Sequence, residues 1–124
     1  MQYIVPILFY VLGLGIHGVP ALSALFPAKI SKLYGISAND TVLMTLLQHR
    51  AVLFALVAAA CIYAAHVSAA RWPVLIGAVI SMGSFMVIAV ARGEQGGSLG
   101  KIVIVDGIGL MIAALLAALL IRMN

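Results

Sequence analysis

The chain has 124 residues, 65% of them hydrophobic and 8% Asp, Glu, Lys or Arg, with a mean hydropathy of +1.25. A soluble domain carries about 25% charged residues, and a chain this short has too little interior to hide so much apolar surface from water. The composition excludes a soluble globular protein, and with it the enzyme classes built on soluble nucleotide-binding or barrel domains. The net charge of +4 comes from seven basic residues spread along the whole chain. That distribution makes no nucleic-acid patch, and in a membrane protein it reports orientation first. The single Cys61 allows neither an intrachain disulfide nor a metal site of the paired-cysteine kind, and no metal is expected.

Four apolar runs, at about 2–26, 41–65, 73–91 and 102–121, each approach the ~20 residues that span a hydrocarbon core. They predict an all-α integral membrane protein, a single transmembrane domain over 1–124 with four helices in an up-and-down bundle. The first run lacks a basic n-region and exceeds the ~7 to 15 apolar residues of a secretory signal, so it reads as a retained helix. Within it Gly13, Gly15, Gly18 and Pro20 crowd around His17. Pro20 has no N–H for the carbonyl of Ile16, which predicts a kink.

The first connection, 26–35, has Pro27 suited to a first helical turn, Gly35 suited to a C-terminal cap, and Ile30, Leu33 and Tyr34 on one face. It predicts a short interfacial helix. Ser37 and Asp40 stand at capping spacing before the second long helix, and Asp40 or Asn39 can cap it directly. The second connection, 66–72, is tight, with Trp72 as an interface anchor and Pro73 as a helix start. The third, 92–101, is rich in Gly and polar. It reads as a cover over a site or as a backbone amide donor to an anion, without spelling a P-loop. Small residues at four-residue spacing, Ala51/Ala55/Ala59, Gly77/Ser81 and Ala113/Ala117, are the expected packing seams. Lys29, Lys32, Arg92 and Lys101 flank one face, and Arg71 and Arg122 the other. This places connections one and three in the cytoplasm and both termini outside.

Depth singles out the polar residues. At 1.5 Å of rise per residue, His17, His49 and Arg50 lie about 12 to 14 Å inside the face carrying connections one and three, and Asp106 about 7 Å. Arg92 and Glu94 close the third helix at that face. A charge at such depth costs about 2.5 to 3.5 kcal/mol, which predicts an ion pair between Arg50 and Asp106. The pair either fixes two helices against each other or forms part of a ligand pocket. His17 and His49, at matched depth on different helices, are the geometry that holds a b-type haem. Ser23 and Ser98 fall near the same polar region.

The residues Leu33-Tyr34-Gly35, the run Gln48-His49-Arg50-Ala51-Val52-Leu53-Phe54 and the early Asp106 of the fourth helix resemble a group of small bacterial four-helix inner-membrane proteins, the DoxX-like set. Some of these carry the name phosphopantetheine adenylyltransferase. No nucleotidyl-transfer motif in this chain supports that activity. The resemblance implies a four-helix fold and a bacterial inner (plasma) membrane.

The expected function is binding of an amphipathic or anionic small molecule, a lipid or quinone head group, in a half-membrane pocket formed by His17, His49, Arg50, Arg92, Glu94 and Asp106. Arg50 would contact the anion or carbonyl, Asp106 would be its counter-ion, and His49 a donor or proton acceptor. Three other readings stand beside it: a proton-coupled transporter acting as a homo-dimer, a membrane oxidoreductase or anchor subunit holding haem or quinone, and a structural partner in a membrane complex. Membrane lipid is the expected surrounding partner in each, and nucleic acid in none.

Overall fold

The computed structural model describes residues 1–22, 25–37 and 39–124; Ser23, singled out above, lies outside them. The described residues are helical, with no strand. We number the helices α1 (Ile4–Leu22), α2 (Pro27–Tyr34), α3 (Thr41–His66), α4 (Arg71–Ala91) and α5 (Gly100–Met123). All but α2 are long and apolar enough to cross a membrane. Their outward faces carry Leu, Ile and Val, as in Leu46, Leu56, Val87 and Ile104, which suits lipid and not water.

The helix ends follow local chemistry. Asp40 caps α3, its carboxylate accepting from the Leu43 N–H at 3.0 Å. In α2, Pro27 occupies the first turn and Gly35 closes the helix in the left-handed region at φ 64°. The chain after α4 closes in a Schellman motif: the Glu94 N–H donates to Ala89 O at 2.8 Å and the Gly93 N–H to Val90 O at 3.0 Å, with Gly93 at φ 72°. Pro73 falls inside the first turn of α4, which begins two residues earlier at Arg71.

The irregularity around Pro20 takes the form of a π-helix over Val11–Gly18. The wider turn relieves the clash between a proline ring and the carbonyl four residues back, and such turns are frequent at functional sites.

Backbone contacts join α1 to α3, α3 to α4, α4 to α5 and α5 back to α1, while α2 lies on α3. The largest apolar core runs from Val5, Phe9 and Leu12 across Cys61, Met82 and Leu116. A smaller one gathers Ile30, Tyr34 and Met44 near α2. His17, Arg50 and Asp106 fall between the two along the chain.

The buried alanines of α3 are Ala51, Ala58, Ala64 and Ala65, three of them seven residues apart, whereas Ala55 and Ala59 are exposed, which corrects the expected four-residue seam. A seven-residue step is nearly two whole turns and holds its face, while repeated steps of four drift around the helix. Gly77 likewise has nothing within 4 Å of where a Cβ would stand.

Candidate functional site

Arg50 is half-buried on α3, one turn before Phe54. Its guanidinium lies 5.0 Å from the centroid of the Phe54 ring and 4.5 Å from that of Phe85 on α4. The aromatic faces offer their negative quadrupole to the cation. The expected contact with Asp106 is absent: no Lys or Arg nitrogen comes within 4.0 Å of a carboxylate oxygen among the described residues. Arg50 and Asp106 still feel each other's charge, and the two also act on Tyr34. The helix geometry explains the gap, because Arg50 leans toward α4 while Asp106 faces α1 and α2.

Of the six residues expected in one pocket, five divide between two cavities that share Phe54. One, of about 410 Å³ between α3 and α4, has Arg50, Arg92, Glu94, Ser81 and Ser84 in its wall. The other, of about 310 Å³ between α1, α2 and α5, has His17, Tyr34 and Asp106. His49 borders neither cavity. It is exposed on the face it shares with Thr45, Val52 and Leu56, all exposed as well. His17, by contrast, is buried, so the two histidines do not share a buried site between them.

His17 is the most enclosed polar side chain, at 1% exposure. Its Nδ1 lies 2.9 Å from Leu12 O, and its ring meets the edge of Phe54 with centroids 5.9 Å apart. A carbonyl only accepts, so Nδ1 carries the hydrogen and, in the neutral ring, Nε2 is a bare lone pair. That Nε2 is buried with no hydrogen-bond partner.

Sequence reasoning missed Tyr34 as a site residue and read it only as part of an apolar face. Burial pushes its phenol above the ordinary 10.0; the charge of Arg50 opposes this and that of Asp106 reinforces it. The phenol is protonated at neutral pH with or without this shift, so its O–H is available as a donor. Because the folded phenol holds its proton more tightly than the unfolded one, Tyr34 leaves stability unaffected below pH 10 and lowers it as pH rises from about 10 through the raised folded value. Thermal melts of the detergent-purified protein are expected to lose this alkaline component in Tyr34→Phe. An unchanged alkaline slope would show that the phenol titrates normally.

Between α4 and α5 the chain is exposed from Arg92 to Ser98. Ser98 rests on Gly35, where a Cβ would approach Ser98 Oγ to 2.8 Å. A third hollow, of about 680 Å³, lies at this meeting point, bordered by Lys29, Lys32, Gly35, Ser98 and Lys101. It shares Val19, Leu33 and Lys101 with the His17 cavity, so the two adjoin. On the opposite face Tyr10 Oη and His66 Nε2 share a hydrogen bond of 2.6 Å, and Arg71 Nε donates to Ala64 O at 3.3 Å. No cavity described here opens there beside a buried polar group.

Compared with protein-family models, with curated proteins and with solved structures, the chain matches none.

Proposed function

We propose that this chain is an integral protein of a bacterial inner membrane, related to the DoxX-like set, with α1, α3, α4 and α5 crossing as an up-and-down bundle and α2 lying in the interface. In this reading it binds the head group of an anionic or amphipathic small molecule, a lipid or a quinone, in its polar half. One observation carries the reading. Arg50 is half-buried beside a cavity of about 410 Å³, steadied by two aromatic rings, and no carboxylate makes an ion pair with it.

A cation at membrane depth is expensive unless something compensates it, and intramembrane arginines without an internal partner mark ligand paths. The ring faces compensate part of the charge while leaving the edge of the planar guanidinium and its N–H groups free for a carbonyl or an anion. Arg92 on the same cavity adds a second positive charge, Glu94 a negative one, and Ser81 and Ser84 add hydroxyls.

Native mass spectrometry of the detergent-purified protein, with lipid extraction and an absorption spectrum on the same samples, tests this reading. Wild type is expected to retain a small molecule that Arg50→Ala loses. If both variants carry the same complement of bound molecules, the reading is wrong, and Arg50 serves to hold α3 against α4.

A further inference from the structure

The adjoining hollows on the α1–α2–α5 side differ in hydrogen-bonding character: only the inner one holds the acceptor side chains of His17 and Asp106. The outer one is bordered by three lysines, Lys29, Lys32 and Lys101, with the Lys29 ammonium 4.8 Å from the Phe26 ring centroid, and among the described residues no carboxylate borders it. Ammonium groups only donate, and the ligand group that suits three of them is a phosphate. The inner hollow is lined by two acceptors, His17, whose Nε2 is buried and unpartnered, and Asp106, itself 8% exposed, and by two donors, the Tyr34 phenol and the Lys101 ammonium. A ligand hydroxyl suits both kinds, since it donates to an acceptor and accepts from a donor. The remaining inner wall is apolar, with Ile16, Val19 and Val105 among its side chains.

From this polarity we infer that the joined hollows bind a phosphate-bearing amphiphile with one hydrocarbon chain and a free hydroxyl next to the phosphate, as in a monoacylglycerol phosphate. The phosphate sits among Lys29, Lys32 and Lys101. The hydroxyl, one or two bonds deeper, donates to His17 Nε2 or to Asp106, and the chain continues along the apolar wall. Depth gives the same order, because Asp106 lies five residues into α5 from Lys101, about 7 Å along the axis. A diacyl phosphate lipid places ester carbonyls where the hydroxyl would be; these accept from Tyr34 or Lys101 but have no hydrogen to give His17 Nε2 or Asp106. The same site therefore selects against the bulk lipids that share its phosphate. The inference rests on a different cavity from that of Arg50 and stands whether or not Arg50 binds a ligand.

The test compares binding by native mass spectrometry, in one detergent, of 1-acylglycerol 3-phosphate, its analogue lacking the 2-hydroxyl, diacyl phosphatidic acid of the same chain length, and inorganic phosphate. The monoacyl lipid is expected to bind about tenfold more tightly than the deoxy analogue, the loss expected for a buried acceptor left without its donor. It should outbind the diacyl lipid by at least as much. The preference over the deoxy analogue should shrink in His17→Phe, and all lipid binding should fall in the Lys29→Gln, Lys32→Gln, Lys101→Gln triple variant. Arg50→Ala should leave the ranking intact. Equal binding of the hydroxyl and deoxy lipids overturns the inference without any dependence on a variant folding. Inorganic phosphate competing as well as the lipid would show a free-phosphate site instead. A ranking that collapses in Arg50→Ala would move the ligand to the other cavity.

Discussion

Gly13→Ala is expected to unseat α1 from α3 and lower the stability of the purified protein by about 1–3 kcal/mol, the range for overpacking a close contact. A Cβ at Gly13 would stand 2.9 Å from the Cβ of Cys61 and 3.0 Å from Ala58 O. Neither atom belongs to the far end of a side chain that can swing aside; one is backbone and the other is fixed to it. The helices must separate, and in lipid no hydrophobic force draws them back, since association there depends on close van der Waals packing. His17 follows Gly13 by roughly one turn, so the displacement also loosens its ring from Phe54, 5.9 Å away between centroids. Gly77→Ala and Gly83→Ala are the controls. Nothing lies within 4 Å of a Cβ at either position, and alanine is the better helix former, so both variants should match or slightly exceed wild type. Thermal unfolding in detergent, followed by loss of the monodisperse peak, measures all three. A Gly13→Ala protein as stable as the controls would mean that α1 crosses α3 less closely than described.

Much of the helix layout was legible because its causes are local. Runs of about twenty apolar residues need no tertiary information, and Pro27, Gly35 and Asp40 each act through their own backbone or the next turn. In the Gly-rich connection, Gly93 serves the helix end behind it and Ser98 meets Gly35, while the residues from Gly93 to Ser98 stay exposed. The π-helix was foreseen only as a disturbance at Pro20, because a missing N–H says that the ladder must change and not how.

For the site, counting residues gives depth but not direction around the axis. His49 and Arg50 sit at one depth, yet adjacent helical residues point about 100° apart, and one faces outward while the other faces the cavity. Depth likewise put Arg50 and Asp106 in one polar half but could not show Phe85 arriving from α4 to take the guanidinium. Phe54 was the legible partner, since it follows Arg50 at the four-residue spacing of helical neighbours. Tyr34 became visible only once α2 was folded back onto α3.

The separation of Arg50 from Asp106 has a measurable consequence in a double-mutant cycle of Arg50→Met and Asp106→Asn. A buried contact pair broken from one side typically costs 3–5 kcal/mol, because the survivor is left uncompensated. Here the ring faces of Phe54 and Phe85 compensate Arg50, and Asp106 lies in a different cavity. Asp106→Asn should therefore leave binding at Arg50 within about threefold of wild type, and the coupling energy should stay below about 1 kcal/mol. Phe85→Leu should instead weaken retention at Arg50 by about 0.5–2 kcal/mol, the worth of one cation–π contact as it becomes desolvated. Arg50→Lys separates charge from shape. The ammonium keeps the charge but neither stacks as a plane nor presents a fork, so a carbonyl or carboxylate ligand held by two N–H groups should be lost almost as completely as in Arg50→Ala. Unfolding stability in detergent measures the cycle, and retained-ligand intensity in native spectra measures the Asp106→Asn, Phe85→Leu and Arg50→Lys effects on binding. A coupling near 3 kcal/mol between positions 50 and 106 would show that the two charges meet in the membrane, and would return Arg50 to a structural pair holding α3 against α5.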